Sequence, residues 1–215
     1  VRDLHFPALP PMTFDIRRGE IAFLRDENYN TGRRLHECFL GDRGWTSGFF
    51  RLNGRLYQPG DLGRVIGSEI GIQIEQPDRP GGVLFDNMTA LDNLCTSLIP
   101  KARQHIIRKK IVSSILSEAL RWFPKEMLLQ PLSSWPYPER LRFSYYRWYL
   151  LNPRLLICFF PFAGQESTHH NMIIDLLVLC AQRGMAVWII SSGIDAICKK
   201  TDNEEFLRRL HYLNK

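Results

Sequence analysis
Hydrophobic residues along this chain change period from one stretch to the next, and each period predicts an element. The segments MTFDI (12–16) and EIAFLR (20–25) read as two short strands. GRRLHECFLG (32–41) follows as a short helix that Gly41 ends. SGFFRLNGRLYQP (47–59) has hairpin character, with Asn53 and Gly54 supplying the left-handed backbone that a tight turn needs. EIGIQIEQ (69–76) is a further strand, closed by the turn-rich PDRPGG (77–82).

The middle of the chain turns helical. In QHIIRKKIVSSILSEALRWF (104–123), Ile107, Ile111, Ile115 and Ala119 recur every four residues, beside a stripe of Val112, Leu116, Leu120 and Phe123. The proline-broken PLSSWPYPE (131–139) separates it from a second helix, RLRFSYYRWYLLN (140–152). Then RLLICFF (154–160) and MAVWIISS (185–192) read as strands buried on both faces, because their apolar runs are continuous. Between them HHNMIIDLLVLCAQRG (169–184) is a helix with a glycine stop, and EEFLRRLHYL (204–213) is one more helix. An early hairpin, a helical middle and a late strand-helix-strand unit predict an α/β domain with an inserted helical subdomain at about residues 88–150.

Composition narrows this little. With 45% apolar residues, the 215-residue chain is expected to form a single domain over 1–215. Its longest nearly apolar stretch, LLICFFPFAG, is about half of the roughly 20 residues that span a bilayer. No secretory leader pattern is present, and the first residue is Val1, so a soluble cytoplasmic piece of a larger protein is expected. The five cysteines (Cys38, Cys95, Cys158, Cys180, Cys198) lack C-x-x-C spacing and read as reduced thiols among apolar neighbours. The formal charge of +6 is spread without a long run and reads as an ordinary basic surface.

Several strings, in one order, resemble the nucleotide-binding domain of ATP-binding cassette (ABC) transporters, closest to the second cassette of sugar-importer ATPases. FDIRRGEIAFL is similar to the strand pair before the family's phosphate loop. GIQIEQPDRPGGVLFDNMTALDNL is similar to the sugar family's GI…EDR…GL…EN region, which places Gln76, Asp78 and Arg79 in a Q-loop-like segment. RWYLLNPRLLICFFPFAGQE resembles the NP-x-LLILDEPT segment, and RGMAVWIISSGIDAI resembles GxAVIIISSE. The resemblance implies a P-loop NTPase-like ABC ATPase fold with an antiparallel β subdomain and an inserted helical subdomain.

The same alignment removes the family's chemistry. A phosphate loop needs glycines that aim backbone N–H groups at phosphate, a Lys for the β and γ phosphates, and a Ser/Thr hydroxyl for magnesium. Without a gap these positions fall on Asp26, Asn28, Tyr29, Thr31, Gly32 and Arg33. Shifted by one residue, Gly32, Arg33 and Arg34 meet the Gly-Lys-Ser/Thr core, and Arg34 stands where a magnesium ligand belongs. A helix start with Arg33 and Arg34 beside it retains some attraction for an anion. The family's magnesium-supporting Asp and catalytic Glu fall on Phe159 and Phe160, which read as a buried strand extended by two apolar residues. The signature segment that closes on the opposite cassette's γ phosphate falls on Trp135, Pro136, Tyr137, Pro138 and Glu139, and the switch position on Ser192.

No catalytic residue, metal ligand or cofactor is therefore expected. The reading is a degenerate cassette that has lost ATP hydrolysis and serves as a binding, regulatory or structural module. Its expected partner is another cassette, a permease or a fused domain, in a possible dimer at the inner face of the membrane. One alternative is an ATP-binding subunit that completes a composite ATPase with a partner and uses ATP and Mg. Another is a nucleic-acid module, since ERLRFSYYRWYLLNPR interleaves arginines with aromatics, although Leu141, Tyr145, Trp148 and Tyr149 share one helical face. His169-His170 reads as a surface pair at a helix start rather than a metal site, because no third ligand follows.

Overall fold
The computed structural model of the protein describes residues 1–6, 9–40, 44–58, 61–75, 84–99, 109–164 and 166–213. The first part holds β1 (Arg2–His5), β2 (Ile21–Arg25), α1 (Asn30–Leu40), β3 (Ser47–Leu52), β4 (Arg55–Tyr57), α2 (Leu62–Val65) and β5 (Ile70–Ile74). Helices α3 (Ala90–Leu98), α4 (Lys109–Ala119), α5 (Lys125–Leu128) and α6 (Tyr137–Leu151) follow, with a 3₁₀ turn at Leu132–Ser134. The chain returns through β6 (Leu155–Phe159), α7 (Ser167–Gln182), β7 (Ala186–Ser191), α8 (Ile194–Cys198), α9 (Glu204–Arg209) and β8 (Leu210–Tyr212).

Five strands pair in parallel in the order β5-β6-β7-β2-β8, and β1-β3-β4 form a small antiparallel sheet. Alternation along the parallel strands divides the core in two. Phe23, Leu156, Cys158, Val187 and Ile189 pack with α6 and α7, while Leu24, Ile157, Phe159, Trp188 and Ile190 pack with α1 and the antiparallel sheet. A third cluster lies among the helices between β5 and β6, around Phe123, Trp135, Phe143 and Tyr146. Helix α6 joins it to the sheet: Leu141, Tyr145 and Trp148 enter the first core, and Phe143 and Tyr146 enter the helical one.

The hairpin turns at Asn53 (φ 49°) and Gly54 (φ 80°), as its sequence predicts. Other expectations need correction. MTFDI is no strand: Met12 makes one bridge to Leu4, and the first ladder strand is the unforeseen Arg2–His5. Phe14 still packs on Trp188 at 4.9 Å, but Asp15 turns out to pair with Arg2, so the segment runs beside the sheet without joining it. The tail helix ends at Arg209, because Leu210–Tyr212 extend and pair with β2. In α4 only Ile115 and Ala119 are buried, and Ile111 faces solvent. Phe160 lies beyond the strand rather than extending it, with left-handed backbone at φ 54°. Gly41, the turn 77–82 and residues 104–108 lie outside the described residues, as do Gln76, Asp78 and Arg79.

Candidate functional site
Strand β2 ends in the core, and its loop must turn at once into α1. Helix α1 begins with three N–H groups that no helical carbonyl can reach, those of Asn30, Thr31 and Gly32. Asp26 answers two of them. Its carboxylate accepts from Thr31 N (3.2 Å) and Gly32 N (2.7 Å), while its own N–H donates to the Ser191 carbonyl at 3.0 Å. The side chain is buried, at 4% exposure for the residue. Tyr29 takes left-handed backbone (φ 58°) to bring the loop back over this carboxylate.

Aromatic rings fill the neighbouring space. Tyr29 packs on Phe160 with ring centroids 4.8 Å apart, and its hydroxyl lies 3.5 Å from Ser192 Oγ. Phe160 presses on Gly32 so closely that a Cβ there would sit 2.5 Å from the ring. Packing therefore requires a glycine here. Phe159 lies fully buried in the same core cluster, 5.3 Å from the His36 ring of α1. Asp26, Tyr29, Thr31, Gly32, Phe160 and Ser192 thus come together, whereas Asn28 is exposed and Arg33 pairs along α1 with Glu37 at 3.3 Å. Neither phenyl ring offers an oxygen to a metal or a base to a water. Among the described residues no group of three His, Cys, Asp or Glu is placed to hold a metal.

At the start of α6, where the resemblance places the signature segment, stand Trp135, Pro136, Tyr137, Pro138 and Glu139. Trp135 is buried, donates from its indole to the Met127 carbonyl at 3.0 Å, and packs on Phe123 and Phe143. Pro138 leaves the first turn one N–H short, and Glu139 puts a carboxylate there, 3.6 Å from Arg142. The aromatics of the same helix are core: Tyr145, Tyr146 and Trp148 are buried with Arg147, so they present no stacking surface to a nucleic acid. The rings of His169 and His170 pack on Tyr137 and Phe162.

A polar network that the sequence did not announce lies between β5 and α6. Gln73 donates to Glu75 (2.7 Å) and Ser144 (3.2 Å), and accepts from the Trp148 indole at 2.7 Å. Burial, with the Glu75 carboxylate adding to it, pushes the Tyr145 hydroxyl well above its ordinary range. Gln73 and Glu75, two residues apart in an apolar strand and so on one face, were the available signal. For Asp26 the signal was an acidic residue shortly before a helix start.

No family model matches the sequence. Among curated proteins the chain is 24% identical over 197 residues to a protein of Pseudomonas syringae pv. tomato, provisionally named a ribose/galactose/methyl galactoside import ATP-binding protein. That match covers 89% of this chain and 37% of the relative. It is 23% identical over 202 residues to the galactofuranose transporter ATP-binding protein YtfR of Escherichia coli, covering 94% of this chain and 39% of the relative. The chain thus spans well under half the length of these relatives. Among solved structures, CbiO1 of Clostridium perfringens, part of the ABC transporter complex CbiONQ, superposes with a TM-score of 0.74 at 19% identity. That match covers 99% of this chain and 82% of CbiO1. The dimeric cassette MJ0796 bound to ADP and Pi gives 0.65 at 19% identity, covering 87% of this chain and 81% of that one.

These findings overturn the expectation of no cofactor: the relatives are named as ATP-binding, and a structural neighbour holds ADP and Pi. ATP is what these relatives are named as binding. In the β2–α1 loop as folded, Asp26 holds two amides of α1 and the Phe160 ring fills the space between Tyr29 and Gly32. The chain has the fold of an ABC-transporter ATP-binding cassette, and its sequence relatives are the sugar-import ATP-binding proteins of that family.

Proposed function
We propose that this chain is a binding and regulatory cassette of a sugar-import ABC assembly, with ATP as the assembly's cofactor and no hydrolysis at its own phosphate-loop position. The observation that carries the reading is Phe160, whose ring packs between Tyr29 and Gly32 where the alignment puts the catalytic Glu. Losing one electrostatic contact of this kind costs about a hundredfold or more in rate, and the losses here share one site. The altered start of α6 points the same way, because it offers a partner's nucleotide fewer donors and an added carboxylate. The module therefore works through its surfaces, against a second cassette or a permease at the cytoplasmic face of the membrane. Among the described residues no helix is long and apolar enough to cross a membrane, which fits a peripheral role.

The test is steady-state ATP hydrolysis by the purified chain, with and without Mg²⁺. The expected result is phosphate release no faster than the protein-free blank. Magnesium-dependent turnover that survives repurification overturns the proposal.

A further inference from the structure
The parallel sheet carries a row of arginines along the end where its strands begin. Following the strand order, Arg154 precedes β6, Arg183 precedes β7, Arg17 and Arg18 precede β2, and Arg208 and Arg209 precede β8. Contacts make the row continuous. Arg18 donates to the Gly184 carbonyl at 3.4 Å, Gly19 N–H to the Met185 carbonyl at 3.3 Å, and Arg209 to the Gly19 carbonyl at 2.6 Å. Arg154 joins through Ala186, whose N–H donates to the Arg154 carbonyl at 3.0 Å. The side chains of Arg17, Arg18, Arg154, Arg183 and Arg208 are exposed.

Carboxylates offset only part of this charge. Glu69 pairs with Arg154 at 3.4 Å, Glu205 with Arg208 and with Arg209, and Glu20 reaches Arg17 at 3.9 Å. Among the described residues Arg18 and Arg183 meet no carboxylate; their partners are the backbone carbonyls of Gly184 and Tyr149. Six guanidiniums against three carboxylates leave +3 (6 − 3), half of the chain's formal +6. The ends of α7 and α9 favour a cation and account for Arg183 and Arg209, but Arg17 and Arg18 stand in a turn that follows no helix.

We propose that this row docks an acidic, extended segment of a partner protein. Neighbouring strands lie about 4.8 Å apart, an interval that carboxylates on one face of an extended chain, about 7 Å apart, can follow. The planar fork of arginine takes a carboxylate in paired hydrogen bonds. Tyr149, the ring beside the row, is covered by Arg183 at 4.6 Å and leaves no open face for a stacked base. The surface lies at the opposite end of the sheet from the β2–α1 loop, so the inference holds whatever that loop binds.

The experiment is fluorescence anisotropy of labelled decaglutamate titrated with the whole chain, beside decaglutamine. The expected result is binding of decaglutamate alone, weakened about tenfold or more by Arg18→Glu with Arg183→Glu, and as much by raising salt from about 50 to about 300 mM. Arg33→Glu with Arg121→Glu makes the same charge change on exposed arginines elsewhere and should leave affinity within about threefold. Equal losses in the two variants, or no discrimination between the two peptides, overturns the proposal. So does tighter competition by oligothymidylate or by phosphatidylglycerol vesicles than by unlabelled decaglutamate. Phenylglyoxal labelling of the unaltered chain serves if the variants fail to fold: decaglutamate should slow modification of Arg18 and Arg183, and unchanged rates overturn the docking. ATP turnover enters no arm, so failure here is distinguishable from failure of the functional reading.

Discussion
Gly32 and Phe160 show how one contact can change the meaning of a residue. In sequence, Gly32 looks like the last glycine of a phosphate loop. In the fold it makes room for a ring, with Phe160 Cζ 2.5 Å from where a Cβ would be and Ile190 Cγ2 at 3.1 Å. Gly32→Ala should therefore destabilise the chain by about 1–2 kcal/mol, through overpacking rather than loss of a ligand. Urea unfolding checks this, and adding Phe160→Leu should recover part of the loss, as a purely conformational cost would not. That the adjacent phenylalanines carry no acid was legible, since it depends on residue chemistry alone. Their placements, Phe159 within β6 beside His36 and Phe160 beyond it against Gly32, depend on where β6 stops and were not legible.

Elements with one strong period were read correctly from sequence. The β3–β4 hairpin, β5, β6, α6, α7 and β7 lie where apolar spacing put them, because each buries a face that its own pattern defines. Misreadings came where neighbours decide. LHY can continue a helix or extend, and the open edge of β2 draws it into the sheet. Helix α6 is stabilised on both sides, so its polar tie to β5 should matter. Trp148→Phe leaves the Gln73 carbonyl without the indole donor it meets at 2.7 Å, in a fully buried site. The expected loss is about 1–3 kcal/mol in chemical denaturation, with the parallel sheet retained by circular dichroism.

Across the whole molecule, burial governs the response to alkali. All five cysteines are free, as their scattered spacing predicts, and Cys38, Cys158 and Cys180 are buried. Burial pushes the Cys38 thiol up to about 11 and Cys180 up to about 12, from an ordinary 9.0. Above pH 9 the unfolded chain releases protons that the folded chain keeps, so stability is full below that pH and falls as pH rises towards the folded values. Burial lowers the buried Arg147 guanidinium to about 10, an effect of opposite sign that begins only above that value. The midpoint of urea unfolding should therefore drop between pH 9 and 10. Over the same range these three thiols should resist iodoacetamide in the native protein and react on unfolding; rapid native labelling would contradict their burial.

The sequence by itself determined the cassette-like order of strands and helices, because apolar periodicity is local and each element carries its own. It determined too that Phe159 and Phe160, where the resemblance places the family's acids, carry no carboxylate, because side-chain chemistry does not depend on the fold. Tertiary structure alone decided how the β2–α1 loop closes. Asp26, Gly32, Tyr29 and Phe160 are separated along the chain by up to 134 positions (160 − 26), and only the close of β2 and β6 against α1 brings them together. Asp26 thereby became the acceptor for Thr31 and Gly32, since helix N–H groups at a first turn need one and this carboxylate is within reach.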